Sequence, residues 1–138
     1  MLLPLLALFV YTGCEKSESI NLTENTDYFI RGSFTGQYLN VKKRGYYIDT
    51  LDQPNAPYYY IICMGEKSSG GYSLKIKEIH KISNKTEIIV EEITPGNNEV
   101  VTTALTSPTI VVEFPKYQEN IIIKNTNNEE FNKLNDWE

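Results

Sequence analysis

The chain is short of the side chains on which most catalytic centres are built. Its 138 residues include one histidine, His80, and two cysteines, Cys14 and Cys63. A Ser-His-Asp or Cys-His centre needs an imidazole held between a nucleophile and an orienting carboxylate. No Gly-x-Ser-x-Gly elbow is present, neither cysteine has a catalytic flanking signature, and His80 beside Lys81 reads as a solvent-exposed or capping histidine. His-x-x-x-His, Cys-x-x-Cys and Asp-x-Asp-x-Asp-Gly are missing as well, which removes the common zinc and calcium patterns. The sequence therefore predicts a protein that is not an enzyme, with no metal and no cofactor. Two cysteines are also too few for the disulfide framework of a small secreted domain. Positive charge is scarce: 13 Lys and Arg against 18 Asp and Glu give a net charge of −5. A nucleic-acid binder needs a basic surface to displace counterions from phosphates, so that class is excluded.

What is present is apolar and aromatic. Hydrophobic residues make up 41% of the chain, too many for a disordered one, and ten tyrosines accompany abundant isoleucine and valine. Such residues fit a pleated, half-buried surface. Leu2 to Val10 is an unbroken apolar stretch, too short to span a bilayer and suited to a signal-peptide core. Tyr11-Thr12-Gly13-Cys14 closes it, and the polar run Glu15-Lys16-Ser17-Glu18-Ser19 follows. A small residue before a cysteine at the end of an apolar run resembles the lipobox of bacterial lipoproteins. That resemblance implies removal of residues 1–13, acylation of Cys14, and a lipid anchor on the extracytoplasmic face of the cell membrane. Acyl chains anchor well, since each buried CH₂ contributes about 0.8 kcal/mol.

Residues 14–26 then read as the lipidated cysteine and a polar tether, 27–125 as one β domain, and 126–138 as a polar tail. Within 27–125, short β-branched and aromatic runs alternate with turn signals, which predicts an all-β, two-sheet antiparallel sandwich or partly open barrel. The expected strands are Asp27–Phe34, Gln37–Val41, Gly45–Thr50, Pro57–Met64, Tyr72–Ile82, Thr86–Ile93, Thr109–Phe114 and Asn120–Asn125. Thr35-Gly36 can supply the positive φ of a tight turn, and Ser83-Asn84-Lys85 offers an αL-tolerant asparagine. Pro95 should stop the strand before it. The alternation Tyr72, Leu74, Ile76 slips by one residue near Glu78, as at a β-bulge. Glu99 to Pro108 reads as a crossing between sheets. In the tail, Phe131, Leu134 and Trp137 stand three residues apart, which admits a short amphipathic helix as well as a frayed end.

Few residues qualify as a site. Adjacent strand residues point to opposite faces, so Glu91 and Glu92 cannot share a substrate and read as solvated charges. Lys42-Lys43-Arg44 reads as an exposed hairpin, with lipid headgroups as a weak target. Cys63, inside an apolar run, reads as a buried, inert thiol. The candidate binding loop is Gly65, Lys67, Ser69, Gly70, Gly71 and Tyr72: its glycines permit angles that a Cβ forbids, and loops on rigid scaffolds carry binding residues.

That loop, Gly65-Glu66-Lys67-Ser68-Ser69-Gly70-Gly71-Tyr72, resembles the signature of the PrcB C-terminal domain family. The resemblance continues through Val90-Glu91-Glu92-Ile93-Thr94-Pro95, Leu105-Thr106-Ser107-Pro108 and Val111-Val112-Glu113-Phe114-Pro115-Lys116, about half the chain. Members are small, often lipid-anchored, and named after an accessory subunit of a surface protease complex. The resemblance implies a non-enzymatic accessory, stabilising or binding module for another exported protein, with a protease complex as the partner its name suggests, and supplies no catalytic residue. Two other readings stand beside it. Chagasin-like protease inhibitors use a Thr-Gly-Tyr loop on a β-sandwich, to which Ser69-Gly70-Gly71-Tyr72 is similar. Exposed tyrosines would suit a cell-wall or carbohydrate binding module.

Overall fold

A computed structural model describes residues 18–34 and 42–135. Among the described residues eight strands form: β1 (Ser19–Asn21), β2 (Phe29–Phe34), β3 (Gly45–Thr50), β4 (Tyr58–Cys63), β5 (Ser73–Ile82), β6 (Lys85–Ile93), β7 (Thr109–Phe114) and β8 (Asn120–Asn125). They pair into two four-stranded sheets, β1-β5-β6-β8 and β2-β7-β4-β3, and make a β-sandwich that is not closed into a barrel. The crossover expected between Glu99 and Pro108 carries the chain from β6 in the first sheet to β7 in the second. The short Pro115–Glu119 link returns it to the first, where β8 lies parallel to β6. Every other pairing is antiparallel.

Alternation decides what fills the space between the sheets. Tyr60, Ile62, Val112 and Phe114 project from one sheet; Leu74, Ile76, Ile79, Ile88, Val90 and Ile123 project from the other. The expected bulge falls at Lys77: Ile76 pairs with Val90 and Glu78 with Ile89, so one extra residue returns Ile79 to the interior. Tyr60 meets Phe114 edge-on at 5.3 Å and 85°. Its burial raises the phenol pKa to about 12, while its oxygen accepts from Gln118 N at 3.4 Å.

β4 is a continuous apolar run because both its faces are covered. Its odd-numbered residues Ile61 and Cys63 join Tyr47 and Val111 in a second cluster on the outer side. Cys63 is fully buried and its thiol pKa is pushed up by burial to about 11, as the inert reading expects.

Three expectations change. Ser19–Thr26, read as tether, contributes β1 and most of a turn that Asp27 N closes on Thr23 O at 2.8 Å. In the Ser83-Asn84 turn the left-handed residue is Ser83 (φ 57), not asparagine. Among the described residues no helix forms near the C-terminus. Phe131–Leu134 is extended instead: Phe131 N donates to Ile123 O at 2.8 Å, Tyr46 N to Asn132 O at 3.0 Å, and Leu134 N to Tyr46 O at 2.8 Å. In an extended chain a spacing of three puts side chains on opposite faces, so Phe131 enters the central core while Leu134 joins the outer cluster. The segment thereby laces the free edges of β8 and β3 together. Gly45 makes this possible, since a Cβ there (φ +154) would stand 2.5 Å from Asn132 O. The signal stretch 1–13, Cys14, Thr35-Gly36, Gln37–Val41 and Trp137 lie outside the described residues.

Candidate functional site

The loop Gly65–Tyr72 is braced against the crossover segment. Lys67 N donates to Thr106 O at 2.8 Å and Thr106 N to Lys67 O at 2.9 Å, while Gly70 N donates to Thr102 O at 3.0 Å. Thr106 Oγ1 adds a bond to Ser69 O at 2.7 Å. Residues 67–70 and 102–106 thus form a small antiparallel ribbon at one end of the sandwich. The glycines are demanded by this packing. Gly71 sits at φ +88, and a Cβ there would meet Val101 Cγ1 at 2.7 Å and Pro95 Cβ at 2.8 Å. A Cβ on Gly70 would lie 2.7 Å from Thr102 Oγ1. Gly65 (φ +89) lets the chain turn beside Arg44. The ammonium of Lys67 lies 5.4 Å from the centre of the Tyr72 ring. Side-chain chemistry left for a partner is therefore modest: Glu66 and Ser68 are exposed, and Val100 and Leu105 stand out as exposed apolar residues on the neighbouring segment.

Beneath the loop lies a charged cluster that local sequence reading misassigned. Glu92, expected to be solvated, points inward from β6 and accepts from both terminal nitrogens of Arg44, one at 3.0 Å. Asn125 Nδ2 donates to the same carboxylate at 2.7 Å. Burial alone would raise the pKa of Glu92, but the bonds from Arg44 and Asn125 outweigh it and hold the group below its ordinary value. The Arg44 guanidinium also stacks 3.9 Å from the centre of the Phe131 ring. Arg44 thus leaves its basic tripeptide to cap the end of the core, while Lys42, Lys43 and Glu91 stay exposed. The partners are 48 residues apart for Arg44 and Glu92, too far for local pattern to pair them.

His80 is not the exposed residue expected. Its ring is mostly covered on the outer face of β5, with Nε2 2.7 Å from Glu87 Oε2. Lys85 Nζ reaches Glu87 Oε1 at 3.0 Å and Lys124 Nζ lies 3.7 Å from Oε2. Burial opposes ionisation of Glu87, yet bonds from Lys85 and His80 hold its pKa below the ordinary value. The two-residue turn Ser83-Asn84 makes this pair legible in sequence, because it sets His80 opposite Glu87. The cluster offers an imidazole and a carboxylate without a neighbouring nucleophile, which is the geometry of a surface ion-pair network. Among the described residues no group of three or more His, Cys, Asp or Glu side chains could hold a metal ion, and no helix is long and apolar enough to cross a membrane.

The described tyrosines divide between the interior and the surface. Tyr28, Tyr46, Tyr47 and Tyr60 are buried, while Tyr117 is half exposed and packs on Tyr58 at 5.2 Å.

Comparison with curated proteins gives no match, and comparison with solved structures gives none. Residues 58–115, from the first residue of β4 to the residue after β7, match the family model described as PrcB C-terminal. The match takes in the braced loop, the bulged strand and the crossover. The match falls on the same loop and strand motifs that resemble the PrcB C-terminal family in the sequence.

Proposed function

We propose that the chain is a non-enzymatic accessory module that binds and stabilises another exported protein, with a component of a protease complex as the favoured partner. A lipid on Cys14 holds it at the extracytoplasmic face of the cell membrane. The observation that carries this reading is the PrcB C-terminal match over residues 58–115. The brace between residues 67–70 and 102–106 supports it against the inhibitor reading. An inhibitor loop must offer its groups to a protease cleft, whereas Gly70 N, Ser69 O and both main-chain groups of Lys67 are taken up internally. A carbohydrate platform finds less support, because four of the tyrosines it would use are buried.

Purification of the full chain from detergent-solubilised membranes tests the proposal. The expected result is a stoichiometric complex with an exported protease component that retains proteolytic activity. Recovery of the chain alone, or of a partner protease that it inhibits mole for mole, contradicts the proposal.

A further inference from the structure

Exposed apolar side chains gather at the two ends of the sandwich. Among the described residues Ile93, Val100 and Leu105 stand out at the end of the braced loop. Ile20 (63% exposed), Leu51 (53%) and Tyr117 (52%) stand out at the other. That second end is where the N-terminal segment joins the fold, since Ser19 pairs with Ile82 beside the Ser83-Asn84 turn. The same end carries the β3–β4 loop and the Pro115–Glu119 link, because Phe114 closes β7 opposite Tyr58 and Asn120 opens β8 opposite Lys85. Two shallow hollows of about 430 and 700 Å³ share Pro115 as a wall; Lys81 and Tyr117 line the first, and Leu51 lines the second. Ile20 pairs with Lys81 and so lies on the face that opens into the first hollow. The three apolar residues thus lie on one end surface.

Chain length limits which end can meet the membrane when Cys14 carries the lipid. Five Cα–Cα steps separate Cys14 from Ser19, and at about 3.6 Å each they reach at most about 18 Å. From Ile82 back to the braced loop, β5 runs for 10 residues, about 30 Å at roughly 3.3 Å per residue. A domain standing on its loop would hold Ser19 about 30 Å above the lipid, beyond the reach of the tether. The broad faces are poorer supports. One presents the charges of Lys75, Glu78 and Glu91, and on the other the apolar cluster of Tyr47, Ile61 and Val111 is already buried.

We propose that the end bearing Ile20, Leu51 and Tyr117 seats on the lipid surface, so that the braced loop, Val100 and Leu105 face away from it. Tyrosine suits this position, with its ring at the boundary between acyl chains and headgroups and its hydroxyl in water. Lys81 and Lys116 lay their stems beside it and keep their ammonium groups among the headgroups. Charge does not drive the seating. Lys81, Lys85 and Lys116 are offset at the same end by Glu18, Asp27, Asp52 and Glu119, so neutral lipid serves as well as anionic lipid. The seat orients a chain that acyl groups already hold, so three side chains suffice where they could not anchor alone. This assignment rests on the Cys14 anchor, and it deepens the accessory reading by fixing which end is turned towards the partner.

The test uses the full chain labelled with ¹⁵N, purified with its lipid and placed in phosphatidylcholine nanodiscs that contain a headgroup nitroxide lipid. Amide signals of Ile20, Leu51 and Tyr117 should broaden while those of Val100 and Leu105 stay sharp, and added anionic lipid should leave the contrast unchanged. Leu51→Ser with Tyr117→Ser should reduce the broadening at Lys116, while the core amides keep their positions and the chain stays in the nanodisc. Equal broadening at both ends, broadening confined to residues before Ser19, or a contrast that survives the double change or needs anionic lipid would overturn the proposal. A chain recovered without lipid and outside the nanodisc would remove the anchoring reading and the seat with it. Two ends that broaden alike in a chain held through Cys14 would remove the seat alone and leave the accessory role standing.

Discussion

Replacing Gly71 with alanine isolates the strain that the loop brace imposes. Gly71 holds φ +88, a conformation that costs an L-residue about 1–2 kcal/mol. The added methyl would also sit 2.7 Å from Val101 Cγ1 and 2.8 Å from Pro95 Cβ, well inside contact distance. Overpacking of this kind costs about 1–3 kcal/mol where neighbours can shift. Val101 can rotate, but the proline ring is fixed to the turn that ends β6, so relief is partial. The two contributions together predict a loss of about 2–5 kcal/mol, a large share of the roughly 5–15 kcal/mol that holds a domain folded. Gly71→Val should cost more, because its branches meet the same two neighbours. Urea unfolding of the Cys14→Ser form should show a lower midpoint at an unchanged slope, the sign of a native-state effect. Adding Val101→Ala to Gly71→Ala should recover the part of the steric share that Val101 imposes and leave the shares due to φ and to Pro95. If Gly71→Ala left the midpoint within about 0.5 kcal/mol of the parent, neither the backbone strain nor the close approach would be real.

Other consequences follow from the same structure. Glu92 has its pKa held below the ordinary 4.5, so the stability it contributes is present above that value and lost as pH falls through its folded pKa. Glu92→Gln should therefore lower stability at neutral pH and flatten the acid limb of a pH titration of unfolding; an acid limb identical to the parent's would contradict the pairing. Cys63, with its thiol pKa raised to about 11 by burial, should resist Ellman's reagent in the folded Cys14→Ser protein and react fully in denaturant. Rapid native labelling would place Cys63 at the surface. Cys14→Ser should move the chain from the membrane fraction to the soluble fraction, and a variant that stays membrane-bound would rule out anchoring through that residue.

Much of the sandwich is legible in the sequence because local signals suffice for it. The phase slip near Glu78 marks the bulge at Lys77, Pro95 ends β6 at Ile93, and the weakly patterned stretch to Pro108 is the crossover between sheets. What escapes sequence reading depends on distant partners. β1 is three polar-flanked residues whose strand character exists only because β5 offers an open edge. The spacing of Phe131 and Leu134 is common to a helix face and to an extended chain with one residue on each side. Only the empty edges of β3 and β8 decide between them. Glu92 looks like one of two solvated carboxylates until Arg44 and Asn125 arrive from elsewhere in the chain. The candidate loop itself was visible through its glycines. That these glycines serve the brace, through contacts with Val101, Thr102 and Pro95, was not.

The accessory role is tested most directly by comparing the parent with the double variant Lys67→Ala, Ser69→Ala in binding to the purified partner. The loop's main-chain ladder survives both changes. Their local losses are the Lys67–Tyr72 contact, worth about 0.5–1 kcal/mol, and a hydroxyl bond to Gly70 O. The variant should remain folded by circular dichroism. An accessory surface spreads its energy over many residues, so affinity should fall by less than about tenfold and the partner's proteolytic activity should be retained. Stoichiometric inhibition of a cysteine or serine protease by the parent, abolished in the double variant, would contradict the account and establish the loop as an inhibitor's.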